Sequence, residues 1–222
     1  MAVLVAGGTG FLGAAVAREL LARNYDVTAT WIVEGEVERL GEEPVELVRA
    51  DLFDARETEA AVATVADLEA VVNLAGGFAS GPRVHETPPE DFERLMRLNV
   101  LPSFLLARAA MPRLVERGGG AFVAVSARAA LRPFAGAAGY VASKAALLAL
   151  IQALDAEYKA DGVRCNAILP SVIDTPANRQ AMPDADHSKW VPPQQIAKVV
   201  AFLVSDDSAP VSGGAVPVYG RA

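Results

Sequence analysis

The chain opens Met1-Ala2-Val3-Leu4-Val5-Ala6-Gly7-Gly8-Thr9-Gly10-Phe11-Leu12-Gly13. Residues 2–6 are a short apolar run with β-branched members, the pattern of a strand buried on both faces. Gly7-Gly8-Thr9-Gly10 breaks the run, and 11–23 carries the spacing of a helix. Strand, glycine turn and helix in immediate succession place a helix N-terminus under a phosphate. Gly7, Gly10 and Gly13 are spaced G-x-x-G-x-x-G. Glycine there suits a tight turn, close approach to a pyrophosphate and close helix–strand packing. The plainer alternative, glycines that merely end a strand, accounts less well for all three spacings. A dinucleotide site is predicted, with Thr9, Phe11 and Leu12 beside the three glycines on its phosphate side.

Outward from this stretch, strand and helix patterns alternate. Strands are predicted at 26–33, 45–48, 70–74, 121–125, 163–169 and 215–218. Helices are predicted at 34–41, 55–66, 90–99, 103–117, 140–159 and 193–204, with Pro102 separating the middle pair and 174–192 left irregular. Such alternation predicts an α/β fold: a doubly wound parallel sheet of about seven strands with helices on both faces. No composition shift marks a linker, so one domain is expected over 1–222. Ligands in these sheets bind beyond the carboxyl ends of the strands, which selects 7–13, Trp31, Asp51-Leu52, 73–77, 126–127 and 170–175.

Composition narrows the class. The chain has 222 residues, 52% hydrophobic and 21% charged, as expected of globular material that buries a core. Net charge is −7 with no run of Lys or Arg, against a nucleic-acid surface. Cys165 is the single cysteine and sits in an apolar stretch, so a disulfide framework is excluded and an inert core thiol is expected. His85 and His187 lack ligand spacing, and no metal is expected. The N-terminus lacks a signal-peptide pattern and no 18-residue apolar run occurs; a cytoplasmic protein is predicted, with no membrane partner.

Tyr140-Val141-Ala142-Ser143-Lys144 sets a phenol and an ammonium four residues apart on one helix face. A free tyrosine titrates near pH 10 (about 10 in model peptides), and a neighbouring ammonium would lower that value by stabilising the phenolate. Tyr140 could then exchange a proton with a substrate atom during hydride transfer. By spacing alone, an ordinary amphipathic pair is the commoner explanation.

Taken together, Gly7-x-x-Gly10-x-x-Gly13, Asn73-Leu74-Ala75-Gly76, Asn99, Tyr140-x-x-x-Lys144 and Pro170-x-x-x-x-Thr175 resemble the short-chain dehydrogenase/reductase family, in its order and over the whole chain. The resemblance implies a single Rossmann-type domain and an oxidoreductase using NADH or NADPH. It implies Tyr140 as proton donor, Lys144 as its partner and ribose ligand, and Asn99 as anchor of a proton relay. Asp51, Leu52, Asn73, Ala75 and Gly76 match positions of the adenosine pocket and sheet end. Pro170, Ile173 and Thr175 match the nicotinamide side. A homodimer or homotetramer acting on a small molecule is implied as well.

Within the family, a closer likeness is to the dihydropteridine reductases. It is carried by Ala22–Tyr25, Ala75–Ala79, Gly139-Tyr140 and above all by Leu169-Pro170 with Asp174–Asp186. It implies reduction of a quinonoid dihydropterin. The alternatives are a broader carbonyl or alcohol reductase and a dinucleotide-binding regulator without catalysis. Three departures stand out. Ala127 occupies the family's serine position, thirteen residues before Tyr140, leaving Ser126 as a candidate one place early. Asn99 follows the wider family rather than the dihydropteridine reductases. Trp31 ends the second strand where an acid would bind ribose hydroxyls, with Glu34 the nearest carboxylate, so the choice between NADH and NADPH stays open. Phe78, Met182 and Trp190 are candidate substrate contacts, or else lid residues packed on the body.

Overall fold

The computed structural model describes residues 1–221. In chain order it contains β1 (Ala2–Ala6), α1 (Phe11–Leu21), β2 (Asp26–Trp31), α2 (Glu34–Val37), β3 (Glu46–Arg49), α3 (Ala55–Thr64) and β4 (Leu68–Asn73). There follow α4 (Pro89–Arg117), β5 (Gly120–Val125), α5 (Ala138–Tyr158), β6 (Val163–Pro170), α6 (Pro176–Ala181), α7 (Pro193–Val204) and β7 (Ala215–Val218). The seven strands form one sheet in the order β3-β2-β1-β4-β5-β6-β7, every pair parallel. The expected doubly wound architecture is therefore present.

Alternation along β1 shows how both faces are covered. Leu4 and Ala6 enter a core with α3, α4 and α5, including Val62, Leu106, Met111, Leu114, Leu147 and Ile151. Val3 and Val5 enter the opposite core with α1 and α7, including Val16, Leu20, Ile196 and Val200. Strands sandwiched this way need apolar residues on both sides, which is why they read as continuous runs.

Two predicted boundaries are corrected. The expected break at Pro102 does not occur: α4 is one helix of 29 residues with Pro102 and Pro112 inside it. Leu95, Asn99, Pro102, Leu106, Ala110 and Leu114 are all buried and recur at helical spacing. Burial of that common stripe outweighs the single hydrogen bond each proline removes. The segment 174–192 is also less irregular than expected, because it contains α6 and a 3-10 turn at His187–Lys189. Thr175 accepts the Asn178 N–H at 3.2 Å and Pro176 occupies the first turn, a cap and a helix start that favour a short helix.

The order of strands reverses between β1 and β4, so the loops following them meet at the carboxyl edge. A Cβ on Gly7 would lie 3.2 Å from the Ala75 nitrogen. Around Gly13 the fit is closer still, since a Cβ there would lie 2.3 Å from the Gly7 carbonyl oxygen. Gly13→Ala is expected to destabilise the protein by at least about 1–3 kcal/mol, as overpacking against fixed backbone does; an unchanged urea midpoint would contradict this account of the turn.

Candidate active site

The glycine turn is built by β2 as much as by its own residues. Gly7, at φ 73°, donates its N–H to the Thr30 hydroxyl at 3.0 Å, and Gly8 donates to the Thr30 carbonyl at 3.1 Å. Gly10 then caps α1 with extended backbone; among the described residues no side chain caps that helix, and its first turn holds no acid. The leading N–H groups of a helix have no intrahelical acceptor, and the helix dipole favours negative charge beside them. With the Cβ-free floor at Gly13, this end of α1 fits a pyrophosphate. Phe11 and Thr175 line the same groove of about 650 Å³, so α1 and the segment after β6 approach each other here.

Across the reversal point, α4 and α5 bring together the candidate proton-transfer groups Asn99, Tyr140 and Lys144. Asn99 is fully buried. Its Oδ1 accepts the Gly77 N–H at 2.9 Å, and its Nδ2 donates to Ser143 Oγ at 3.0 Å. Ser143 in turn donates to the Tyr140 carbonyl at 2.8 Å. Lys144 Nζ donates to the Val125 carbonyl at 2.9 Å. A Cβ on Gly76 would stand 2.7 Å from Asn99 Oδ1 and 3.2 Å from Lys144 Nζ, so these two polar groups converge on one glycine. Ser143 lies inside the Tyr140–Lys144 motif, yet the sequence reading passed over it; a small hydroxyl on the turn between them was the available signal.

Burial sets the electrostatics. The Tyr140 phenol is pushed up to about 12 and the Lys144 amine down to about 8, in each case because desolvation penalises charge. The expectation that Lys144 lowers the tyrosine is corrected: desolvation dominates the phenol, and the amine is engaged by the Val125 carbonyl.

Other candidates divide between the cleft and its supports. Ser126 is buried, and its hydroxyl donates to the Lys144 carbonyl at 2.8 Å. This bond fastens α5 to the end of β5. Asn73 is also a support: Nδ2 donates to Ser103 Oγ at 2.6 Å, and Oδ1 accepts the Ala75 N–H at 3.0 Å. Asp51 accepts the Phe53 N–H at 2.9 Å, while Leu52 is buried beneath the β3 end. Pro170 ends β6, and the Ile173 carbonyl accepts from Asn178 Nδ2 at 2.8 Å. Phe78 meets Tyr140 edge-on, with ring centroids 4.9 Å apart, and Phe134 extends the aromatic wall at 6.5 Å from Phe78. Phe134 was not singled out from sequence because no spacing links it to Tyr140. Met182 is partly exposed at the end of α6. Trp190 is buried, with its ring 4.3 Å from that of His187. Among the described residues no group of three or more His, Cys, Asp or Glu side chains could hold a metal, and no helix is long and apolar enough to cross a membrane.

Known proteins share this sequence pattern and this fold. The short chain dehydrogenase family profile matches residues 1–186. This chain belongs to the short-chain dehydrogenase/reductase family. It is 31% identical over 240 residues to 2-(R)-hydroxypropyl-CoM dehydrogenase of Xanthobacter autotrophicus, covering 98% of this chain and 96% of that one. A short-chain dehydrogenase/reductase from Mycobacterium ulcerans superposes with a TM-score of 0.91 at 27% identity, covering 99% of this chain and 88% of the other. ElxO with NADP bound shares the fold, with a TM-score of 0.91 at 24% identity over 99% of this chain and 97% of its own. As a member of the short-chain dehydrogenase/reductase family the protein is an NAD(P)-dependent oxidoreductase, and the uncapped end of α1 fits that cofactor's pyrophosphate.

The buried amine also makes stability depend on pH. Lys144 is held near 8 against an ordinary 10.5, so the folded state carries a charging penalty in full below about pH 8. As pH rises toward 10.5 the unfolded chain still holds that proton and the folded chain does not, so this contribution becomes more favourable. Tyr140 acts in the opposite sense between 10.0 and about 12, where the folded phenol keeps a proton that the unfolded one loses. Relative to Lys144→Met, the wild type is therefore expected to gain stability from about pH 8 to about pH 10 in denaturant titrations. A difference that stays flat across that range would remove the buried charge as its source.

Proposed function

We propose that this protein is a reductase that uses NADH or NADPH to reduce a flat, conjugated imine or carbonyl compound, with Tyr140 delivering the proton. The cofactor, when bound, supplies the hydride. The observation that carries the reading is the aromatic wall: Phe78 stands edge-on to the Tyr140 ring, with Phe134 beyond it, both exposed to solvent. Such a wall suits a planar heterocycle stacked within reach of the phenol. Ala127 offers no hydroxyl where a second donor would polarise a substrate oxygen, which favours an electron-poor conjugated substrate. A quinonoid dihydropterin meets both conditions, and the likeness of Asp174–Asp186 to the dihydropteridine reductases points the same way.

The residues divide the work. Tyr140, its value near 12, holds a proton through the neutral range and releases it as negative charge builds on the substrate. Lys144, near 8, is still mostly protonated at neutral pH and would hold the nicotinamide ribose of the bound cofactor. Asn99 and Ser143 fix the first turn of α5 and so aim Tyr140. The chain works as one catalytic unit, with 174–192 on its substrate side. We place it in the cytoplasm as a homo-oligomer; exposed Phe104 on α4, beside α5, supports self-association.

A second reading, a broader carbonyl or alcohol reductase, is favoured by the likeness to the hydroxypropyl-CoM dehydrogenase. Steady-state assays with a quinonoid dihydropterin and with simple ketones separate the two: preference for the pterin is expected, and turnover of ketones alone would leave only the broader reading. Tyr140→Phe is expected to keep dinucleotide affinity and to lose about 10²–10⁴ of kcat, the usual worth of a positioned proton donor. Full activity in that variant would take Tyr140 out of the chemistry.

A further inference from the structure

The topology decides which way a dinucleotide lies. Tyr140 and Lys144 stand over β5, on the β4 side of β1, whereas β2 lies on the other side. A cofactor whose nicotinamide reaches Tyr140 must send its adenosine toward the end of β2. That strand ends at Trp31, and Ile32 and Val33 after it are exposed apolar residues, so the usual acid is missing.

The polar groups at this corner come from α2 and the 3-10 turn Glu38–Leu40 that follows it. Glu36 reaches back onto the glycine turn: Oε2 accepts from the Thr9 hydroxyl at 3.5 Å, and Oε1 pairs with Arg39 Nη1 at 3.0 Å. Arg39 Nη1 also donates to the Thr9 carbonyl at 3.1 Å, and its guanidinium lies 4.3 Å over the Phe11 ring. The Arg39 carbonyl accepts from Arg18, whose Nε pairs with Glu43 at 3.3 Å. Glu34, nearer in sequence to Trp31, is exposed and outside this network. The arginine's charge is thus already matched, and the carboxylate is held over Thr9 at the β2 side of the phosphate turn. The stretch 34–43 carries five glutamates and one arginine, so its field there is negative.

We propose, on the nicotinamide-dependent reading above, that Glu36 replaces the missing β2 acid: it accepts from the adenosine ribose hydroxyls and selects NAD(H) over NADP(H). Arg39 is a positioning residue that fixes the carboxylate. A 2′-hydroxyl has a proton to give to Glu36, whereas a 2′-phosphate would bring two negative charges against it.

The test is calorimetric titration of NADH and of NADPH into the full chain and into two variants on this half-buried turn. Wild type is expected to bind NADH at least about tenfold more tightly, the size of one charge-assisted contact. Glu36→Gln should bring the two affinities within about threefold of each other by removing both attraction and repulsion. Arg39→Met should weaken NADH binding without strengthening NADPH. Equal wild-type affinities, or a ratio that Glu36→Gln does not move, overturn the assignment while leaving the reductase reading intact. A wild-type preference for NADPH also overturns it. If neither dinucleotide binds, the reductase reading falls and this assignment with it.

Discussion

A carboxamide without solvent exposure, Asn99, joins the pieces of this site. A buried amide that lacks partners costs about 1–3 kcal/mol, so its surroundings must supply an N–H donor and an oxygen acceptor. The donor is the backbone of Gly77, which draws the loop after β4 inward; the acceptor is Ser143, which in turn holds the Tyr140 carbonyl. Gly76 follows from the same constraint, because any side chain there would strike Asn99 and Lys144. One side chain thus couples the loop after β4, α4 and α5, and Tyr140 inherits its position from a residue 41 places earlier.

Burial that creates this order also sets its chemistry. Phenol and amine are both pushed toward neutrality, the one to about 12 and the other to about 8. At neutral pH the phenol therefore keeps its proton, while the amine's charge is easily given up. Around it the fold separates duties. The supports, Asn73, Ser126 and Thr30, are spent on backbone or side-chain partners, while the glycine turn and the aromatic wall stay open to ligands.

The two ends of the dinucleotide cleft are built on different principles. The β5 side uses interior groups fixed by burial, which tolerate little substitution without loss of packing. The β2 side uses a surface network of Glu36, Arg39 and Thr9, where charge can change without disturbing the core. Charge at the β2 side can therefore change in such a fold while the buried groups of the β5 side stay fixed.

The sequence by itself determined the sheet and its turn. Apolar runs such as 2–6 and 121–125 have nowhere to go but a doubly covered parallel sheet, and glycines at 7, 10 and 13 admit a tight strand-to-helix turn. The tyrosine–lysine spacing was also legible, since it is local to one helix. What only the tertiary structure decided was set by contacts far apart in the chain. Pro102 broke the helical pattern locally, yet a buried stripe from Leu95 to Leu114 held α4 together. The bond from the Ser126 hydroxyl to the Lys144 carbonyl is a contact that no local spacing announces. The direction of the tyrosine shift and the return of Glu36 to Thr9 were likewise invisible in sequence. Desolvation and long-range pairing depend on which surfaces the folded chain removes from water, and no local pattern encodes that.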